Sequence, residues 1–487
     1  MKKYITEKIT LLIAMLAIVA CTDDFIDVPS KNQNSDDFFN TAKDYEDALI
    51  GAYDLLQSTY LNVLLGEIAS DNTLCGGENA NDVPGFQQID DMIHTASNEQ
   101  LRDIWSRMYA GVNRTNYILE YQDKLTFSEK NNIIGQVKFL RAYYYFELVK
   151  WFGDVPMIVD KRFQFGDQFN IDRTPKAEVY AQIEADLVDA ANKLPLTQTT
   201  DGKVTRGAAQ SLLGKVYLFQ NKFDEAANEL EKVIGSNVYR LVSDFNSIFE
   251  HEGENNAESV FEIQYTDAEG ASFDCLQCSS GNVAVGFSGI RSYDGPVFDS
   301  GYSFNVPTQE LVDAFENGDK RKDVTVLDIV AWAAANNAKY TEGYEHTGYF
   351  NRKYLPRKGD KNIGDANLTN PNNYRAIRYA DVLLMAAEAQ NRKTSPDDTK
   401  AKLYLNQVRE RAGLLPITAT GSVLTSSILK ERRIELAGEG HRFFDLVRTA
   451  EASNFINGFV TGKHELFPIP TIEIDLAGGR WAQNQGY

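Results

Sequence analysis

Charged residues crowd one short stretch of this 487-residue chain. Glu431, Arg432, Arg433, Glu435, Glu439 and Arg442 stand close together, and paired carboxylates are what acid–base and glycosidase chemistry uses. Their spacing argues for a plainer role. Glu431 and Glu435 lie four residues apart on a predicted helix whose apolar positions are Ile428, Leu429, Ile434 and Leu436, the pattern of a salt-bridged helix packed on its neighbours. His441 lacks the HExxH spacing of a zinc protease, and His94 and His346 fall in unrelated segments. No GxSxG, no P-loop and no strand-following GxGxxG occurs. Cys275 and Cys278 make a lone CxxC, without the second pair a zinc site needs and outside the βαβ setting of a thioredoxin-like site. They read as a local disulfide or as two loop thiols. The expectation is therefore a protein without catalytic residues, metal or cofactor.

The elements that would carry any site are mostly helical. Residues 44–58 set Tyr45, Ala48, Leu49, Ala52, Leu55 and Leu56 on one helical face, and 101–121 do the same with Leu101, Ile104, Trp105, Met108, Val112, Tyr117 and Leu119. Residues 133–151 are apolar on most sides, as a core helix is, and Gly153 and Pro156 stop them. A further helix is expected at 176–194. Residues 207–234 read as two helices meeting at Asn221-Lys222, with Leu213, Gly214, Tyr217 and Ala226 at the L-G-x2-Y and A positions of a tetratricopeptide repeat. Small Gly214 and Ala226 let such paired helices approach closely. A more degenerate pair is 379–390 with 400–411, closed by Gly413. One repeat cannot bury its own apolar face, so several must stack.

The expected fold is all-α: tetratricopeptide-like helix pairs stacked as an α/α superhelix, with a few short strands and a loop-rich subdomain. One strand is expected at 259–265, with Phe261, Ile263 and Tyr265 on one face. Residues 266–306 and 335–373 are rich in Gly, Ser, Asn, Asp and aromatics, and loops this long in a compact domain are usually functional. They delimit a loop-rich insert at about 266–373 inside a single unit spanning 36–487.

The N-terminus predicts export. Lys2, Lys3 and Lys8 precede an apolar run from Ile9 to Ala20, too short to span a bilayer comfortably but placed as a secretory core. The run ends Ile18-Val19-Ala20-Cys21, which resembles a bacterial lipobox, so residues 1–20 are expected to be removed and Cys21 to carry lipid. Several acyl chains would anchor the protein stably, through an acidic, Pro-containing tether at 21–35. Formal charge is −20, or about −22 without the leader; such a surface repels nucleic acid.

Several blocks in fixed order then resemble the SusD/RagB family. They are Phe139-Leu-Arg-Ala-Tyr143 through Pro156, Pro175-x2-Glu178-Val-Tyr180, and Ala380 through Glu388-Ala389. Asn406-x2-Arg409-x-Arg411-Ala-Gly413, Glu431-Arg-Arg-x-Glu435-Leu436 and Glu439-Gly-His-Arg442-x2-Asp445-Leu446 follow, and Phe467-Pro-Ile-Pro470 and Gln483 through Tyr487 close the series. The resemblance covers almost the whole chain after Cys21. It implies an outer-membrane lipoprotein facing the cell exterior, for which Asp23-Asp24 looks like the sorting signal. It also implies a SusC-like TonB-dependent transporter as partner and a captured nutrient, a glycan or, as in RagB-like members, a peptide. A glycoside hydrolase is the enzymatic rival.

Sugars need aromatic faces for their C–H surfaces and planar polar groups for their hydroxyls, and aromatic loops on a rigid scaffold supply both. In the family, contacts come from the loop after the first long helix and from the mid-chain insert. By this resemblance the first loop offers Asp71, Asn72 and Phe86. The insert offers Phe287, Arg291, Tyr293, Phe298 and Tyr302, with Trp332, Tyr344 and Tyr349 outside them.

Overall fold

Local signals start and stop the helices where the sequence suggests. Thr41 and Asp44 form a capping box for helix Ala42–Asp54, and the side chains of Asn98, Thr205 and Asp397 cap helices Glu99–Glu120, Arg206–Phe219 and Asp398–Arg411. Gly153, in a positive-φ conformation that favours glycine, ends helix Lys130–Phe152. That helix is buried on every side along most of its length, as its all-round apolar sequence requires. The computed structural model describes residues 38–270, 272–278, 280–359, 364–365 and 367–487. The expected leader 1–20, the lipidation site Cys21 and the tether 21–35 lie outside the described residues.

The helices pack in chain order. Helix 42–54 lies on 99–120 and 130–152, then 130–152 packs on Lys176–Lys193, which packs on 206–219, and 206–219 pairs with Phe223–Gly235. Helix Tyr379–Arg392 continues the stack against 223–235, followed by 398–411 and Gly421–Glu435. The result is an all-α, tetratricopeptide-like arc. Two close approaches explain their glycines: a Cβ on Gly214 would sit 2.6 Å from Leu230, and one on Gly111 would sit 2.5 Å from the Tyr144 ring. Asn221, at φ 58°, makes the tight turn between the paired helices. A single apolar cluster runs from Phe39 to Trp481, so the C-terminal segment completes the same core.

Between residues 235 and 379 the chain leaves the arc and returns. It returns on strand Tyr374–Arg378, antiparallel to Ser259–Ile263. Here the one-sided strand expectation is corrected. Val260, Phe261, Glu262 and Ile263 are all buried, because register shifts break the alternation and the strand is covered on both faces. The insert carries more regular structure than its sequence suggests: short helices Val283–Ser288, Gln309–Ala314 and Ile329–Asn336, and two-stranded pairings of a few residues. Cys275 is disulfide-bonded, while Cys75 is a free, buried thiol.

The charged stretch near residue 435 is the electrostatic centre of the fold. Glu435 accepts from Arg378 (2.9 Å), Arg411 (2.5 Å) and Arg321 (3.0 Å). Glu439 binds Arg378 and Lys353, Glu431 binds Arg321 and Arg409, and Glu258 binds Arg378 and Arg411. Burial alone would raise the Glu435 carboxyl, but Arg411, Arg378 and Arg321 hold it well below the usual carboxylate range. These are not the surface bridges of an ordinary amphipathic helix. They are sealed inside, and each carboxylate is committed to a cation. None can reach a substrate, so the acid–base reading of this stretch has no geometric support.

Candidate functional site

The loop after helix Tyr60–Ile68 is fastened before it reaches the surface. The Asp71 carboxylate accepts two bonds from Arg442 (2.7 and 2.9 Å) and pairs with Arg433 at 3.0 Å, while Asn72 Oδ1 accepts from Arg433 Nε at 2.8 Å. Asn72 is fully buried. Both residues therefore position the loop, and Asn72 is corrected from a ligand contact to a brace. Thr73–Leu74 then pairs antiparallel with Val306–Pro307.

Beyond this point three loops are laced by backbone bonds. Gly77 N–H donates to Ser303 O (2.8 Å), Tyr344 N–H to Gly77 O (2.9 Å), and Thr341 N–H to Arg291 O (2.9 Å). A side chain cannot enter this lacing: a Cβ on Gly76 would meet Ser303 O at 2.1 Å. Segments 70–83, 291–304 and 339–345 thus form one loop face. The structure brings together the loops that the sequence pointed to.

Which rings face outward is a different matter. Phe86 and Phe287 pack with Phe304 inside the main core, Phe86 only 2 % exposed. Phe298, 1 % exposed, and Tyr293 are buried in a satellite cluster, where the Tyr293 hydroxyl donates to Pro296 O and accepts from Trp332 Nε1 at 2.8 Å. These four expectations are corrected: a fully packed ring has no face left for a sugar, and each supports the loops from beneath. Trp332 packs on Phe298 and stays half-buried, as do Tyr344 and Tyr349, whose hydroxyl bonds Gln309.

Two parts of the face remain open. At one end Arg291 donates to Asp82 (3.2 Å) and to Tyr302 O (3.0 Å), and the Tyr302 hydroxyl donates to Asp365 (3.2 Å). Phe273 stands edge-on to Tyr302, with ring centroids 5.6 Å apart, and is 55 % exposed. At the other end a cleft of about 400 Å³ is lined by Asp71, Asp90, Asp91, Glu310, Glu345, Tyr344 and Phe455. Burial, with Asp91 and Glu345 nearby, pushes the Asp90 carboxyl up to about 7, against a 2.7 Å bond from Cys75 N–H. Burial and Glu345 likewise raise Asp91.

Chemically this is a surface of hydroxyl acceptors beside rings: Asp91 and Glu345 accept, Tyr344 and Phe455 offer apolar faces. It lacks a nucleophile aligned with a base. Among the described residues no cluster of His, Cys, Asp and Glu could hold a metal ion, and no helix is long and apolar enough to cross a membrane. Sequence reasoning missed Phe273, Asp82, Asp90, Asp91, Glu345 and Phe455. Phe273 had a signal, being a lone ring in a Ser- and Asp-rich loop. Phe455 had none, since it enters the cleft from a distant C-terminal segment.

The sequence profile of the SusD family matches residues 327–465, and that of a family described as starch-binding, associating with the outer membrane, matches 24–218. SusD-like protein P2 of Formosa agariphila is 28 % identical over the full length of both chains. A solved laminarin-binding SusD-like protein is 33 % identical, with a TM-score of 0.84 over 92 % of this chain and all of its own. Surface glycan-binding protein A from Bacteroides thetaiotaomicron, in complex with laminarihexaose, is 28 % identical, with a TM-score of 0.80 over 91 % of this chain and all of its own.

Proposed function

The chain belongs to the SusD family, and from that premise we propose that it is a surface glycan-binding lipoprotein, anchored at Cys21, that passes its ligand to a SusC-like TonB-dependent transporter. The ligand class is an oligosaccharide of the laminarin type. The observation that carries this reading is the likeness, over nine-tenths of the chain, to a laminarin-binding protein. The open face supports it: Phe273, Tyr302 and Tyr344 offer rings, and Asp82, Asp91 and Glu345 offer hydroxyl acceptors, among side chains that are mostly uncharged or acidic.

Each hydroxyl bond replaces one to water and nets only about 0.5–1.5 kcal/mol. A few such contacts give micromolar to millimolar dissociation constants, about −4 to −8 kcal/mol. Weak capture also suits delivery, because a tightly held ligand would not be released to a transporter. Calorimetry of the fragment starting at Thr22 with laminarihexaose, a starch oligosaccharide and an oligopeptide tests the ligand class. Binding of the first with no release of reducing ends is expected; preference for the oligopeptide would overturn it. Cys21→Ala is expected to leave folding intact and to remove the protein from the outer-membrane fraction of cells lacking the transporter. Its retention there would overturn lipid anchoring.

A further inference from the structure

A second recess lies elsewhere on the molecule. Helix 99–120, the loop at 156–171 and the C-terminal segment 473–481 enclose a groove of about 380 Å³ that shares no lining residue with the loop face. Trp105 and Trp481, both packed, floor it from beneath, their rings 6.1 Å apart. The half-buried Tyr109 and Phe163, 5.4 Å apart, form its wall. On the same loop stand two strongly exposed rings, Phe165 at 95 % and Phe169 at 50 %.

The polar tips of the groove's rings are spent inside the protein. Tyr109 Oη donates to Pro156 O (2.7 Å), Trp481 Nε1 to Ile171 O (2.8 Å), and Trp105 hydrogen-bonds Glu473. What these rings turn to the groove is carbon. The amides at its edge are only half spent. Asn113 accepts from Phe163 N–H (2.7 Å) and Gln168 from Gly166 N–H (2.8 Å), each through its carbonyl oxygen, so among the described residues no partner holds their NH2 groups, which can donate. Gln164 is exposed beside them, and Glu473 supplies an acceptor.

This composition discriminates between occupants. An apolar segment filling the groove would strand the amide NH2 groups away from water, at a cost that its contacts would have to overcome. A hydroxylated ring avoids that cost, because each hydroxyl both donates and accepts while the ring C–H faces lie on the half-buried Tyr109 and Phe163. We propose that this groove is a second glycan site, holding one or two sugar units of a neutral oligosaccharide independently of the loop face. The volume falls in the range of small-ligand pockets. The proposal rests on the glycan-binding reading above and adds a consequence to it. Two separated sites on one chain would retain a long polymer by avidity, since binding at one raises the effective concentration at the other.

The test uses laminarihexaose and polymeric laminarin as probes. Ala110→Arg fills the groove from a helical position on its wall without deleting a ring, and Phe163→Ala removes one ring; circular dichroism checks that both fold. Phe273→Ala/Tyr302→Ala disables the loop face. Wild type is expected to bind two hexasaccharides per chain. Ala110→Arg is expected to bind one and to lose about tenfold or more in affinity for the polymer, and the loop-face variant to keep one site that Ala110→Arg then abolishes. Wild-type stoichiometry and polymer affinity in both groove variants would overturn the second site alone, as would a single site lost with the loop-face variant. No binding of either probe by wild type would overturn the glycan reading itself, and this proposal with it.

Discussion

The chain concentrates charge in two places, with opposite results. Around Glu435, carboxylates and guanidinium groups are sealed from water in matched pairs. In the cleft of the loop face, Asp90, Asp91, Glu310 and Glu345 gather beside Tyr344 with no ion pair among the described residues. The residue types are the same, and the neighbours decide what they do. In this buried ion-pair lattice burial is offset by cations, and the Glu435 and Glu439 carboxyls are held low. In the cleft, burial outweighs the single bond from Cys75 N–H, and Asp90 is pushed up to about 7. The lattice joins the returning strand to helices from the far end of the chain. The cleft leaves Asp91 and Glu345 exposed.

The sharpest way to break this comparison is Glu435→Gln. The variant keeps the shape of the side chain but leaves Arg378, Arg321 and Arg411 with one fewer buried counter-charge. A loss of about 3–5 kcal/mol is expected, read from denaturant midpoints. A loss under about 1 kcal/mol would mean that the remaining carboxylates re-pair freely.

pH separates buried ion pairs from the cleft by sign, and a second buried network, Arg432 with Asp381 and Asp445 and Arg448 with Asp445 and Glu388, shows the acid side. Arg432 and Arg448 hold the Asp445 carboxyl to about 2 against burial, and Arg448 holds Glu388 low. Such groups contribute stability that is present above the unfolded-state value of about 4 and lost as pH falls toward about 2. Asp90 acts in the opposite direction. Its folded state keeps a proton that the unfolded chain gives up, so its contribution is present below about pH 4 and lost as pH rises through about 7. Asp90→Asn is expected to raise stability by about 1 kcal/mol at pH 8 and to leave the acid limb unchanged. Thermal melts from pH 3 to 8 read both limbs; equal slopes in wild type and variant above pH 5 would refute the assignment of Asp90.

Smaller effects belong to ligand binding. Phe273→Ala is expected to weaken laminarihexaose binding by about fivefold, near 1 kcal/mol, with the melting temperature unchanged, because the ring is mostly in solvent. Unchanged affinity would move the ligand to the cleft end of the face. Raising salt from 0.05 to 0.5 M is expected to change affinity by less than about twofold, since neutral hydroxyls offer no charge to screen. A large loss would identify an anionic ligand and shift attention to Arg291.

Much of the scaffold was legible because helices advertise themselves locally. The 3.6-residue apolar spacing, the stop at Gly153 and the small Gly214 and Ala226 are all short-range facts, and the structure places helices within a few residues of each expectation. The insert loops that meet at the face were legible too, as long aromatic segments with no periodicity, and the loop after residue 70 through the family resemblance. Their internal arrangement was not. Phe86, Phe287 and Phe298 were the rings expected to contact ligand, yet they are packed, while Phe273 is exposed. A residue's type sets what it would gain from burial, but which rings are covered depends on segments hundreds of residues apart closing over one another. The same holds for charge. Glu431 and Glu435 at i and i+4 describe a helix face, while the guanidinium groups that claim them come from residues 321, 378, 409 and 411. Spacing along one helix carries no information about those partners, so only the tertiary structure could make an expected salt-bridged helix the buried centre of the fold.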